Sequence, residues 1–280
     1  MLLNSLTLHL PKTTSEAAKL YKELADAKVL AGGTFLLNSM KLLKTKGTKT
    51  AKNVLSLAKV TDLKGIALNG NVLTIKAMTT ITELFESPLL SDNLSVLRTV
   101  CRNISTNPIR NMATVGGNLT CRYTWTEMGA VMIALNANMH FMGPDGAEEV
   151  IPAEDFFKNA ARAEKLFTHV SIERKPMAAV AYRRVKKTMH VDVPLLAVCV
   201  TTELKGKQWQ NTRVGINNGI AFAQRDVTLE EFLNKSQSAP DLGTKALQHL
   251  TTAIYDTRSS DYKQHMFRVS LKSAIEEIAK

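Results

Sequence analysis

Two short glycine pairs carry the most distinctive chemistry in this 280-residue chain. One lies in Ala31-Gly32-Gly33-Thr34, the other in Ala113-Thr114-Val115-Gly116-Gly117-Asn118. Each stands where an apolar segment gives way to polar residues, which reads as a tight loop beside regular structure. Residues without a Cβ expose successive backbone N–H groups, and such groups cradle anions. Thr34 and Thr114 add hydroxyls, and the Asn118 amide offers both a donor and an acceptor. The combination fits a nucleotide diphosphate gripped by two separate loops. Either pair taken alone is equally an ordinary turn.

The elements that must position these loops follow from periodicity. Thr14 or Ser15 caps a helix to about Asp26, with Ala17, Leu20, Tyr21 and Leu24 on one face. Lys28 to Ala31 is a short strand, and Phe35 to Leu43 places Leu36, Leu37, Met40 and Leu43 at helical spacing. Strand, glycine turn and helix N-terminus in that order favour an anion. Met1-Leu2-Leu3 reads as a first strand. Asn53–Leu57, Gly65–Leu68 and Val72–Ala77 read as strands, with Asn69-Gly70 a hairpin turn. Helices are expected over Thr80–Leu84, Leu94–Ile104 and Met128–Leu135, and a second hairpin about Gly143-Pro144-Asp145-Gly146. Charge and Pro176 mark a boundary near Glu173. Beyond it, strands at Ala178–Tyr182, Leu195–Leu204 and Trp209–Ile216 form an antiparallel sheet. Helical periodicity returns over Thr228–Leu233, Gly243–Ile254 and Tyr262–Ile278.

At these residues the chain resembles the flavin-binding subunits of molybdenum hydroxylases, the family of xanthine dehydrogenase and carbon monoxide dehydrogenase. The first signature is Lys28-Val29-Leu30-Ala31-Gly32-Gly33-Thr34-Phe35-Leu36; the second, more specific one runs from Ile109 to Leu119. A stretch from Asp256-Thr257-Arg258-Ser259-Ser260 through Arg268 is similar to the segment before the family's last helix. The resemblance implies an α+β fold: a two-part FAD-binding domain of the PCMH type over 1–172, with parts about 1–52 and 53–172. A C-terminal domain over 173–280 follows, a small antiparallel sheet packed with helices. It implies FAD as cofactor, wrapped by Lys28 to Leu36 and by Thr114, Gly116, Gly117 and Asn118. Ile104 falls at an apolar contact to the cofactor, although a plain core residue explains it as well. Glu127 stands where the family places an aspartate on the ribose, and Arg183 where it places a cation near the isoalloxazine ring. Asp192 lies in a loop that passes near the flavin in relatives. Arg110 is open between phosphate and a surface carboxylate. The small residues and proline usual before Glu127 are replaced by Tyr123, Thr124 and Trp125, read as packing in preference to cofactor stacking.

The same resemblance implies an oxidoreductase subunit of a heterotrimer. The molybdenum cofactor belongs on a large molybdopterin-binding subunit and the 2Fe-2S clusters on a small one, with NAD+, a quinone or oxygen as final acceptor. Composition agrees. Cys101, Cys121 and Cys199 are the only cysteines, too few for an iron–sulfur cluster's four thiolates. The six histidines (His9, His140, His169, His190, His249, His265) show no paired metal spacing. Hydrophobic residues at 45% and charged ones at 22% describe a globular protein. The longest apolar run, Val193–Val200, is far short of the ~20 residues of a membrane helix, so no membrane span and a cytoplasmic location are expected. A net charge of +11 reads first as a solvated basic surface and second as a face for acidic sister subunits; no nucleic acid is expected, because basic residues and aromatics do not interleave. A free-standing PCMH-type flavin oxidoreductase and a basic nucleic-acid-binding module are the competing readings.

Overall fold

The computed structural model describes residues 3–24, 26–48, 50–121, 123–158, 164–188, 193–218, 223–255 and 261–280. Their architecture is α+β, built on three separate sheets. The first takes β1 (Thr7–His9), β2 (Lys28–Leu30) and β3 (Asn53–Ser56), with α1 (Thr14–Glu23) and α2 (Leu36–Thr45) as crossovers. Its order is β1-β3-β2 and all pairing is parallel. Parallel neighbours need such crossover helices. Thr13 caps α1, its hydroxyl accepting from the Glu16 N–H at 3.1 Å. The first strand begins at Thr7, so the expected strand at Met1-Leu2-Leu3 is not formed at Leu3, and Met1 and Leu2 lie outside the described residues.

The second sheet is antiparallel, and around it lies the main core. The chain runs β4 (Ile66–Asn69), β5 (Val72–Lys76), α3 (Ile81–Glu86), α4 (Ser95–Asn103), α5 (Asn107–Met112), α6 (Val115–Thr120), α7 (Glu127–Ala134), β6 (Asn138–Met142), β7 (Glu148–Pro152), α8 (Ala153–Lys158) and β8 (Leu166–Glu173). Strand order is β4-β5-β8-β6-β7. Gly70, at φ +58°, makes the β4–β5 turn that most side chains resist. Leu57, Val60, Leu63, Met78 and Leu166 join Ala17 and Ala18 in a smaller cluster that welds the first sheet to the second.

The third sheet holds β9 (Ala178–Lys186), β10 (Pro194–Lys205), β11 (Gln208–Asn217) and β12 (Gln224–Arg225), in order β12-β11-β10-β9. Then come α9 (Val227–Asn234), α10 (Leu242–Ala246), α11 (Thr252–Tyr255) and α12 (Asp261–Ala279). Phe267, Leu271, Ala274 and Ile275 of α12 bury one face of this sheet. The other face lies on α7, every residue of which is buried. Gly215 of β11 leaves no room for a Cβ against the Ala130 carbonyl. Thr201 Oγ1 donates to the Ala134 carbonyl at 2.7 Å and Arg213 Nε to that of Ile133 at 2.9 Å. These bonds cap the last turn of α7 from the neighbouring sheet. The helix expected over Gly243–Ile254 is two short ones. Between them the Thr251 hydroxyl donates to the buried Asp226 carboxylate at 2.7 Å, a local bond that competes with the helix.

Candidate functional site

The first glycine pair does join a strand to a helix. Among the described residues β2 pairs only with β3, at the edge of the parallel sheet, and delivers the chain to Gly32. Gly33 turns it with φ +71°, a conformation that suits glycine. Phe35 leads into α2 without a side-chain cap, and the first turn of α2 has no acid. Among the described residues, the backbone N–H groups of Gly32, Gly33, Thr34, Phe35 and Leu36 donate to nothing in the protein. A row of free amides at a helix N-terminus holds partial positive charge and takes an anion. Lys28 is exposed; Val29, Leu30, Ala31 and Leu36 are half-buried around the turn.

The second pair departs from expectation: it is not an open loop but lies within the short helix α6. Its amides are engaged. Val115 N–H donates to the Thr79 carbonyl at 2.9 Å and Gly116 N–H to that of Ala77 at 2.8 Å. Thr114 caps the helix, its hydroxyl accepting from Gly117 N–H at 3.1 Å. Gly116 is required by packing, since a Cβ there would lie 2.7 Å from the Ala77 carbonyl oxygen. Of the expected second-loop residues Thr114, Gly116, Gly117 and Asn118, the Gly116 and Gly117 amides are thus taken up within the protein. The second loop contributes proximity and one side chain. A Cβ on Gly32 would meet the Met112 carbonyl carbon at 2.7 Å and Ala113 Cα at 3.1 Å, with the carbonyl oxygen nearer still. One on Gly117 would stand 3.9 Å from the Ala31 Cβ. The two loops touch because Gly32 stands at the contact. Beside that contact the Asn118 side-chain oxygen is buried without a hydrogen-bond partner among the described residues. A buried unpaired polar atom costs roughly 1–3 kcal/mol, and a bound donor removes that cost. Free amides, an orphaned oxygen and a glycine-lined contact fit the diphosphate and polar arm of FAD.

Other expected site residues have different tasks. The Glu127 carboxylate does not face the cradle free for a ribose. It accepts from Tyr182 Oη at 2.5 Å and from Arg184 Nε, and it is buried. Burial pushes this carboxyl up, while the Tyr182 hydrogen bond and the Arg184 charge pull against that rise. Burial also drives the Tyr182 phenol well above its ordinary range, reinforced by the Glu127 charge. The longer glutamate arm thus ties α7 to β9. Arg183 and Arg184 point to opposite faces of β9. Strand alternation sends Tyr182 and Arg184 toward α7, while Arg183 bonds Ser273 Oγ at 3.0 Å and pairs with Glu277 on α12. Period-2 spacing is the sequence signal that puts Tyr182 and Arg184 on one face. The Arg110 guanidinium donates to the Arg102 and Ser105 carbonyls at 3.2 and 3.0 Å and to Asn107. Ile104 ends α4, half-buried against the main core. Asp192, His190 and the segment Asp256–Ser260 lie outside the described residues.

Tyr123 and Trp125 do not fill the core. Tyr123 is half-buried, its ring 4.3 Å from Trp125 and 4.6 Å from Phe35. A cavity of about 440 Å³ lies elsewhere, beside β11 and α9. Its Lys175 and Arg225 are matched by Glu203 at 2.8 Å and Glu154 at 2.9 Å, so it offers no excess of positive charge. Among the described residues no group of metal-ligating side chains occurs, and no helix is long and apolar enough to cross a membrane.

Comparison with known proteins agrees with this geometry. Residues 4–173 match the family described as the FAD binding domain in molybdopterin dehydrogenase. The chain is 28% identical to the carbon monoxide dehydrogenase medium chain of Afipia carboxidovorans, covering 99% of this chain and 97% of that one. It is 27% identical to the medium chain from Hydrogenophaga pseudoflava, covering 95% and 94%. The structure superposes on reconstituted CO dehydrogenase from Oligotropha carboxidovorans with a TM-score of 0.89 at 27% identity, over 100% and 99% of the two chains.

Proposed function

This chain belongs to the family of FAD-binding domains in molybdopterin dehydrogenases, and we propose that it is the electron-delivering flavin subunit of a cytoplasmic three-subunit molybdenum hydroxylase. The observation that carries the reading is the row of free amides from Gly32 to Leu36 beside the orphaned Asn118 oxygen. In this assignment the first loop binds the diphosphate through main-chain N–H groups, Thr34 adds its hydroxyl, and Asn118 holds a donor of the polar arm. Thr114 caps α6, Gly116 seats it on Ala77, and Gly117 brings it beside Ala31 of the first loop. FAD supplies the exchange between single electrons from 2Fe-2S clusters and the electron pair taken by NAD+ or another acceptor. The clusters sit on a small partner subunit and the molybdenum cofactor on a large one; three cysteines here fall short of the four thiolates a cluster takes. The net charge of +11 favours acidic faces on those partners.

The test is to purify the assembly through a tag on this chain. The expected result is one FAD per copy of this chain, co-purifying molybdenum and iron, and reduction of NAD+ or a quinone by substrate. A stable assembly lacking flavin contradicts the assignment; flavin with no NAD+ reduction refutes only that acceptor.

A further inference from the structure

We propose that the aromatic ladder Phe35–Tyr123–Trp125 is a stacking subsite for a planar ring of the bound dinucleotide, with the outer face of Trp125 receiving the ring. The inference rests on the FAD reading above and assigns a role to residues that the glycine cradle does not use.

The ladder is built from both halves of the cradle. Phe35 belongs to the row of free amides itself, while Tyr123 and Trp125 follow α6 directly. Tyr123 and Trp125 lie nearly parallel, with centroids 4.3 Å apart and 22° between planes; Phe35 packs on Tyr123 at 4.6 Å and 54°. Thr126 N–H donates to the Tyr123 carbonyl at 3.0 Å, closing a turn that sets the two rings side by side. Cys121 Sγ donates to the Asn118 carbonyl at 3.0 Å, which ties the start of this segment to the turn bearing the orphaned oxygen. The rungs therefore leave the anion-binding end in sequence, as the arm of a dinucleotide leaves its diphosphate.

Exposure argues against a packing role. Phe35 is 43% exposed and Trp125 36%, whereas Trp209 and Phe141, which do fill core space, are 0% and 1% exposed. Among the described residues Trp125 has one ring partner, Tyr123. An indole with an open face beside a phosphate site is the arrangement that captures heterocyclic bases, since every base presents a π-face. The adenine and the isoalloxazine share that chemistry.

The test uses the full chain freed of flavin, titrated with FAD, ADP and FMN, reading the dissociation constant and tryptophan emission. Trp125→Ala is expected to weaken FAD by roughly 5- to 150-fold, the range a base–aromatic stack is worth. Trp125→Phe, which keeps a ring, is expected to retain most of the affinity and to remove most of the emission quenched by FAD. An equal loss for ADP places adenine on Trp125; a loss confined to FMN and FAD places the flavin there, and either supports the inference. Unchanged FAD affinity in a folded Trp125→Ala chain overturns it, as does a variant impaired only in joining its partner subunits. That failure leaves the cradle standing. A wild-type chain that binds no FAD overturns cradle and ladder together.

Discussion

Substituting Gly32 by alanine separates the account offered here from a generic glycine turn. The added Cβ would sit 2.7 Å from the Met112 carbonyl carbon and 3.1 Å from Ala113 Cα. Both are backbone atoms, so no side chain can swing aside. Restoring the roughly 3.5 Å of ordinary carbon contact moves the loops about 0.8 Å apart (3.5 − 2.7), and the carbonyl oxygen demands more. Overpacking of this kind costs about 1–3 kcal/mol, and at about 2–4 °C per kcal/mol the melting temperature falls by several degrees. The amides of Gly32 to Leu36 then no longer converge. Losing one or two charge-assisted hydrogen bonds, about 1.5–3 kcal/mol each, raises the FAD dissociation constant by at least tenfold. Gly47→Ala is the control: its φ of +69° imposes a backbone strain that Gly32 does not carry, but nothing lies within 4 Å of the new Cβ. That variant loses stability and keeps its FAD affinity. The assays are thermal melting and equilibrium FAD titration. Wild-type melting and affinity in Gly32→Ala would refute the loop-contact argument.

Three further outcomes follow from the same geometry. Asn118→Ala removes a buried unpaired oxygen, so the flavin-free chain melts no lower than wild type while FAD binds about 5- to 100-fold more weakly; a destabilised free chain with intact affinity contradicts the role given to Asn118. Arg184→Ala strands the buried Glu127 carboxylate and costs about 3–5 kcal/mol in chemical denaturation, whereas Arg183→Ala removes a pair with half-exposed Glu277 and costs under about 1 kcal/mol; equal losses would contradict the assignment of faces on β9. His140 and His169 stack across β6 and β8 at 3.9 Å. Burial, then the His140 charge and Lys76, push His169 down to about 4, and burial lowers His140, with Glu148 opposing in both. Both are held neutral in the fold, so their contribution is complete above the unfolded value near ~6.5 and is lost as pH falls toward 4. Urea midpoints at pH 7 and pH 4.5 should differ less in His169→Gln than in wild type, and an unchanged difference refutes the pair's part.

The strand–glycine–helix unit at Lys28–Thr45 was legible because an apolar run, a Gly-Gly-Thr and an i, i+3, i+4 pattern succeed one another, and local chemistry dictates each. The helical state of Val115–Thr120 was not legible. A Gly-Gly pair opposes helix, and the turn is held instead by the carbonyls of Ala77 and Thr79, distant in sequence. The partners of Arg183 and Arg184 are not legible in the sequence, because β9 meets α12 on one face and reaches Glu127 at the start of α7 on the other, so neither arginine is marked as outward. Position alone marks Glu127 in the sequence, and its partners arrive from another sheet. The His140–His169 stack depends on strand register, which spacing along the chain does not reveal. The break between α10 and α11 likewise comes from Asp226, a residue outside the helical pattern.

The central claim is that main-chain amides at the start of α2 bind the diphosphate. Comparative titration of the flavin-free chain with FAD and with riboflavin, which lacks the diphosphate, tests it most directly. The account predicts one FAD per chain, competition by ADP, and riboflavin weaker by a hundredfold or more, about the worth of two charge-assisted hydrogen bonds. Equal affinity for the two flavins, or a folded chain that takes up neither, would contradict it.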